Sequence, residues 1–176
     1  MDGYLQRMIV YNNWANEGLV AFLASQTEPT LDATAAGVYG TIRETLNHLF
    51  EAEDNYFRSL TRQPRTDFST RPARPSIEDF RRYAAESAAN LNTLTLPDHT
   101  EMLQFNDGMR SAATALTQLF LHGVEHRAHV ATVLGATGIE PPDLDSWAYG
   151  IFTGSDDWPP NWGKAPDTLP RFPFEV

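Results

Sequence analysis

The chain has 176 residues, with 13 basic against 23 acidic side chains, a formal charge of −10 and no cysteine. That length fits one domain able to bury a core unaided, and the missing cysteine excludes disulfides, thiolate metal ligation and a cysteine nucleophile, so any thiol chemistry needs a thiol from outside. The acid excess repels a phosphate backbone, which sets nucleic acid aside as a partner.

The N-terminal run Met1-Asp2-Gly3-Tyr4-Leu5-Gln6-Arg7 has no basic segment leading into an apolar one. No apolar run reaches membrane-spanning length, so no membrane association is expected and the cytoplasm is the expected compartment. A first helix is expected over about 2–25, where Leu5, Met8, Ile9, Asn12, Leu19, Phe22 and Leu23 recur mostly three and four residues apart. Gly37 and Gly40 punctuate the approach to a second, whose stripe is Ile42, Leu46, Leu49, Phe50, Tyr56, Phe57 and Leu60. Pro64, Pro72 and Pro75 mark an extended connection. Ser76-Ile77-Glu78-Asp79 then opens a third helix with an acidic variant of the capping box, running to about Leu94. Met102 to Met109 reads as a small hairpin because Asp107-Gly108 favours positive φ. A fourth helix starts near Ser111 or Ala112 and stops in the 135–138 region. After Pro141-Pro142-Asp143-Leu144-Asp145 a short fifth helix extends to about Phe152, with Trp147, Tyr149 and Ile151 available to cover one end of the bundle. A Pro- and Trp-rich tail follows from about 155, within a single domain of residues 1–176.

No βαβ pattern, phosphate loop or nucleophile elbow appears. The expected class is all-α, a four-helix bundle with a short additional C-terminal helix. Ferritin-like di-iron chemistry needs Glu-x-x-His on paired helices, which these helices lack. Positive charge concentrates at Arg58, Arg62, Arg65, Arg71, Arg74, Arg81 and Arg82, where a solvated helix end and loop is the simpler expectation than a binding patch.

The run Leu119-Phe120-Leu121-His122-Gly123-Val124-Glu125-His126-Arg127-Ala128-His129 holds three of the five histidines. At 3.6 residues per turn His126 lies about 40° from His122 and His129 about 20° to its other side, so the imidazoles share a face. Two imidazoles one turn apart can grip one cation, and a third nitrogen from another helix completes a facial set with open positions; His48 is the natural candidate. Spacing alone also allows a hydrogen-bonded pair at a packed interface. A zinc-protease mechanism needs Glu directly after the first His, where Gly123 stands.

Three stretches in order, Tyr11-Asn12-Asn13-Trp14-Ala15-Asn16, Thr41 to Leu49 and His122 to His129 followed by Leu134 and Gly138-Ile139-Glu140-Pro141-Pro142, give a chain that resembles the DinB-like (DinB/YfiT) superfamily. These are metal-binding four-helix bundles that include bacillithiol S-transferases and are related to mycothiol-dependent maleylpyruvate isomerases. The resemblance implies a metal triad of His48, His122 and His126 around a divalent ion, with zinc the first choice and nickel, iron or manganese also accommodated. It implies a low-molecular-weight thiol cosubstrate, a small-molecule substrate and a homodimer, for which Trp147 and Trp158 are candidate contacts. His129 departs from the family pattern and is expected as an outer partner assisting proton transfer, with direct ligation the alternative. Glu44 and Glu125 are candidates to orient ligand imidazoles, although Glu125 can equally be solvated. Trp14 reads as core or pocket, Asn16 as surface amide or pocket, and His99 as a solvated loop residue. The implied activity is thiol S-transfer or isomerisation; a metal-dependent hydrolase and a non-enzymatic, stress-associated metal-binding protein are the rivals.

Overall fold

In the computed structural model, residues 3–105 and 108–156 are described. The expected tail, with Trp158, lies beyond them apart from residues 155 and 156. Helices α1 (Gly3–Ala24), α2 (Ile42–Thr61), α3 (Ile77–Asn92) and α4 (Ala112–Ala136) form a four-helix bundle, with α1 against α3 and α2 against α4. Strands β1 (Met102–Phe105) and β2 (Gly108–Ser111) pair antiparallel as the expected hairpin, Met102 opposite Ser111. The short helix α5 (Ser146–Phe152) packs beside α1. Among the described residues no helix is long and apolar enough to cross a membrane.

Helix starts follow local chemistry. Ser76 and Asp79 close the predicted capping box on α3, and Thr41 and Glu44 close a second one on α2. Glu44 is therefore taken up by the Thr41 cap and does not orient His48. Ser111 caps α4 through the Thr114 amide, and Asp145 caps α5 through the Ala148 amide. At its far end α2 stops on Arg62, left-handed at φ 56°. Helix α3 ends two residues before the expected Leu94, because the Thr93 and Leu94 amides turn back onto the Asn90 and Leu91 carbonyls. Short 3-10 turns at Glu28–Asp32 and Phe68–Thr70 occupy segments whose sequence shows no periodicity.

Two apolar clusters fill the bundle. One joins Leu19, Leu23, Leu46, Phe50, Phe80 and Val133; the other joins Ile9, Phe57, Leu60, Leu91, Leu103 and Leu119. Trp14 takes the core role, its ring packed on Tyr11, Tyr149 and Phe152. Trp147, by contrast, is 65% exposed.

The arginine-rich region behaves as the simpler expectation has it. Arg58 pairs with Asp54, Arg62 with Glu101, Arg74 with Asp32, Arg81 with Glu78 and Arg82 with Asp79. Arg71 lies over the rings of Phe68 and Tyr83. Arg43, which sequence reasoning passed over, is buried and ties Glu28, Asp32 and the Pro75 carbonyl to the start of α2.

Candidate metal centre

His48 projects from the middle of α2, half-buried, towards buried His122 and His126 on α4. Nε2 of His122 lies 3.1 Å from Nε2 of His48 and 3.0 Å from Nε2 of His126. One nitrogen from each ring falls within 4.8 Å of the others. Two nitrogens each about 2.1 Å from a shared ion sit about 3.0 Å apart at a right angle and about 3.4 Å at a tetrahedral one, so this triangle has the size of a facial ligand set. Chemistry agrees with size. Unprotonated Nε2 lone pairs converging at such distances repel one another, and a cation between them turns that repulsion into coordination.

Burial sets the protonation. It holds His122 down to about 3, with the charges of His126 and His48 adding to the effect. His126 falls to about 4, first through burial and then through His48 and His129, against the pull of Glu125. Burial also lowers His48, opposed by Glu51. Neutral imidazole is the ligating form, so a cation entering here meets weaker proton competition than at free histidine.

The same shifts fix the sign of a pH effect in metal-free protein. The unfolded histidines take up protons from about 6.5 downward while the folded ones resist until about 4 at His126 and about 3 at His122. Stability conferred above 6.5 is therefore lost progressively as pH falls through that window. Urea midpoints of chelator-treated protein should drop between about pH 7.5 and pH 5, and His122→Ala should flatten the slope. An unchanged slope in that variant contradicts the assignment.

His129, half-buried, sits outside the triangle, its Nδ1 3.4 Å from Nδ1 of His126. Were Nε2 of His126 to hold a metal, its Nδ1 would carry the proton and donate to His129, the arrangement that commonly fixes a ligand tautomer. Glu125 is exposed, in keeping with the solvated reading, and among the described residues Nδ1 of His122 has no partner. His99 is 80% exposed in the loop beside Asp98 and takes no part. Tyr39 was not foreseen. Its ring stacks on His48 at 4.4 Å and meets His126 edge-on at 5.1 Å, covering one flank, while Tyr56 meets His122 edge-on at 5.8 Å on another.

Behind the triad runs a buried polar layer that links all four long helices. Asn12 and Asn16 of α1 each donate at 2.8 Å to Oε1 of Glu53 on α2, and Ser87 of α3 donates to its Oε2. Their amide oxygens in turn accept from Nη1 of Arg127 on α4, at 2.9 Å and 2.6 Å. Asn16 is thus a buried relay between a carboxylate and a guanidinium rather than a surface amide. A Cβ on Gly123 would stand 2.7 Å from Oδ1 of Asn12 and 3.0 Å from Nη1 of Arg127, so glycine between the α4 ligands keeps the space this layer needs. Because Arg127 adjoins His126 and Glu53 follows His48 on α2, the layer holds the helices that carry the triad in register.

An all-helical bundle whose facing helices bring three neutral imidazoles to one point defines a class of helical proteins with a site that can hold a metal ion. Residues 1–156 match the DinB family, and the chain belongs to it. Comparison with curated proteins gave no match.

Proposed function

We propose that this DinB-family chain is a divalent-metal-dependent enzyme that activates a low-molecular-weight thiol for S-transfer or isomerisation. The convergence of three neutral Nε2 donors, in a chain with no thiol of its own, is the observation that carries this reading. On ligand type zinc comes first, and imidazole also accepts nickel, iron(II) or manganese. A divalent ion held here supplies positive charge that lowers the pKa of a thiol taken up beside it, giving the nucleophilic thiolate at neutral pH. His48, His122 and His126 serve as neutral ligands and leave a position for the thiol. His129 holds the tautomer of His126 and is placed to take or return a proton, through whichever ring nitrogen is free of that bond.

Conjugation of cellular thiols to a chromogenic electrophile, with and without metal, tests the reading. Metal-loaded protein should accelerate the reaction, and chelation should abolish it while helical circular dichroism persists. His129→Ala should retain metal at saturation yet lose about 10²-fold in rate. Inert thiols with turnover of esters or amides would favour the hydrolase, and helix melting on chelation would favour a structural metal.

A further inference from the structure

We propose that Tyr39 is a positioning residue of the metal site, its ring holding the His48 imidazole in place where a ligand histidine ordinarily has a hydrogen-bond partner. The proposal rests on the triad as a metal centre and not on what the metal then activates. A ligand imidazole is usually steadied through its second nitrogen, and the three rings differ in what steadies them. His126 has His129, Nδ1 to Nδ1 at 3.4 Å. His122 is buried and its Nδ1 enclosed without a partner, so packing alone fixes that ring. His48 is half-buried, and among the described residues its one hydrogen-bonding neighbour is Nε2 of His122, on the triad side. The two carboxylates nearest it along α2 are engaged elsewhere, Glu44 in the Thr41 cap and Glu51 with the Asn47 amide at 2.9 Å.

What His48 does have is a flat surface. The Tyr39 ring lies 4.4 Å from it with the planes 13° apart, and stands nearly perpendicular to His126, at 86°. His48 and His126 are themselves 5.0 Å apart at 83°, so one phenol braces ligand rings from both α2 and α4. Tilting His48 out of this stack drives its edge into the Tyr39 ring or opens a gap beneath it, and either loses the contact. The backbone that carries Tyr39 is pinned on both sides. Ile42 donates to the Ala33 carbonyl at 3.0 Å and the Thr34 hydroxyl to the Gly40 carbonyl at 3.0 Å, while Val38 packs against the core. Gly37 makes the turn at φ 82°, and a Cβ on Gly40 would stand 2.8 Å from Oε2 of Glu44, in the capping box. A ring 52% exposed on so anchored a loop adds little to the core; its contacts are the two ligands. Such a stack is made by the ring and not by its hydroxyl, and a contact of this kind is worth about three- to tenfold in an equilibrium.

Zinc binding by full-length Tyr39→Leu and Tyr39→Phe tests this, with affinity read by competition against a chromophoric chelator and release by a chase with excess EDTA. NMR of the histidine ring protons in chelator-treated protein adds a readout that needs no metal. Tyr39→Leu should weaken zinc binding about three- to tenfold, chiefly through faster release, and Tyr39→Phe should match the wild-type chain. The His48 ring protons, held upfield by the stacked ring in wild type and in Tyr39→Phe, should move downfield in Tyr39→Leu. Unchanged affinity in Tyr39→Leu would overturn the proposal, and so would an equal loss in Tyr39→Phe, which would assign the effect to the hydroxyl. Equal acceleration of uptake and release at constant affinity would make Tyr39 a screen over the entrance, not a support, and would overturn it as well. A wild-type chain that binds no zinc removes the centre and this proposal together, whereas wild-type binding that Tyr39→Leu leaves untouched removes this proposal alone.

Discussion

Arg127→Ala should lower the unfolding free energy by about 3–5 kcal/mol, the largest stability loss expected of any single substitution in the bundle. Truncation leaves Glu53 buried with its charge uncompensated and strands the amide oxygens of Asn12 and Asn16 that now accept from the guanidinium. A second contribution is the space left by a side chain that packs against Tyr11. Glu53→Ala should cost a comparable amount by stranding Arg127 and both Asn12 and Asn16. The double variant should cost clearly less than the two together, since it removes both charges at once. Urea unfolding monitored by circular dichroism gives all three values. A loss below about 1 kcal/mol for Arg127→Ala would mean that water replaces the layer at little cost.

Metal affinity should fall by more than about 100-fold on replacing His48, His122 or His126 singly with alanine, beyond the 10–100-fold typical of losing an outer partner. Each supplies one of the converging donors, and two imidazoles alone no longer make the facial set. His129→Ala should fall inside the outer-partner range, because His129 meets the triad through Nδ1 of His126. His99→Ala should change nothing from its exposed loop. Competition with a chromophoric zinc chelator resolves these three levels, and helical circular dichroism shows that each variant folds. Equal losses in His129→Ala and His122→Ala would make His129 a ligand and overturn the outer role assigned to it.

Much of this was legible because helix formation is local. Three- and four-residue apolar spacing, the Ser76–Asp79 cap and the Asp107-Gly108 dipeptide in the sequence located the helices and the paired strands to within about two residues, the usual fraying of helix ends. The histidines were legible for the same reason, since i and i+4 positions must share a face and a third ligand then has to come from a neighbouring helix. The polar layer was not, because Asn, Glu and Arg in helices ordinarily face water, and their partners lie 34 to 115 residues away. One signal was available: Asn12 and Asn16 fall one turn apart on the stripe that runs from Ile9 to Leu19 and Leu23, where an exposed amide would be out of place. Met8, counted with that stripe, is instead 46% exposed at its edge. Tyr39 was invisible to periodicity because it reaches His48 from the loop before α2.

Cobalt(II) titration of chelator-treated protein, read by visible absorption, bears most directly on the claim that His48, His122 and His126 form one metal centre. The d–d bands should grow to saturation at about one equivalent per chain, as one set of three protein ligands requires, and should be absent from His122→Ala. Saturation with an undiminished spectrum in His122→Ala, or no saturable band in the wild-type chain, would contradict the centre described here.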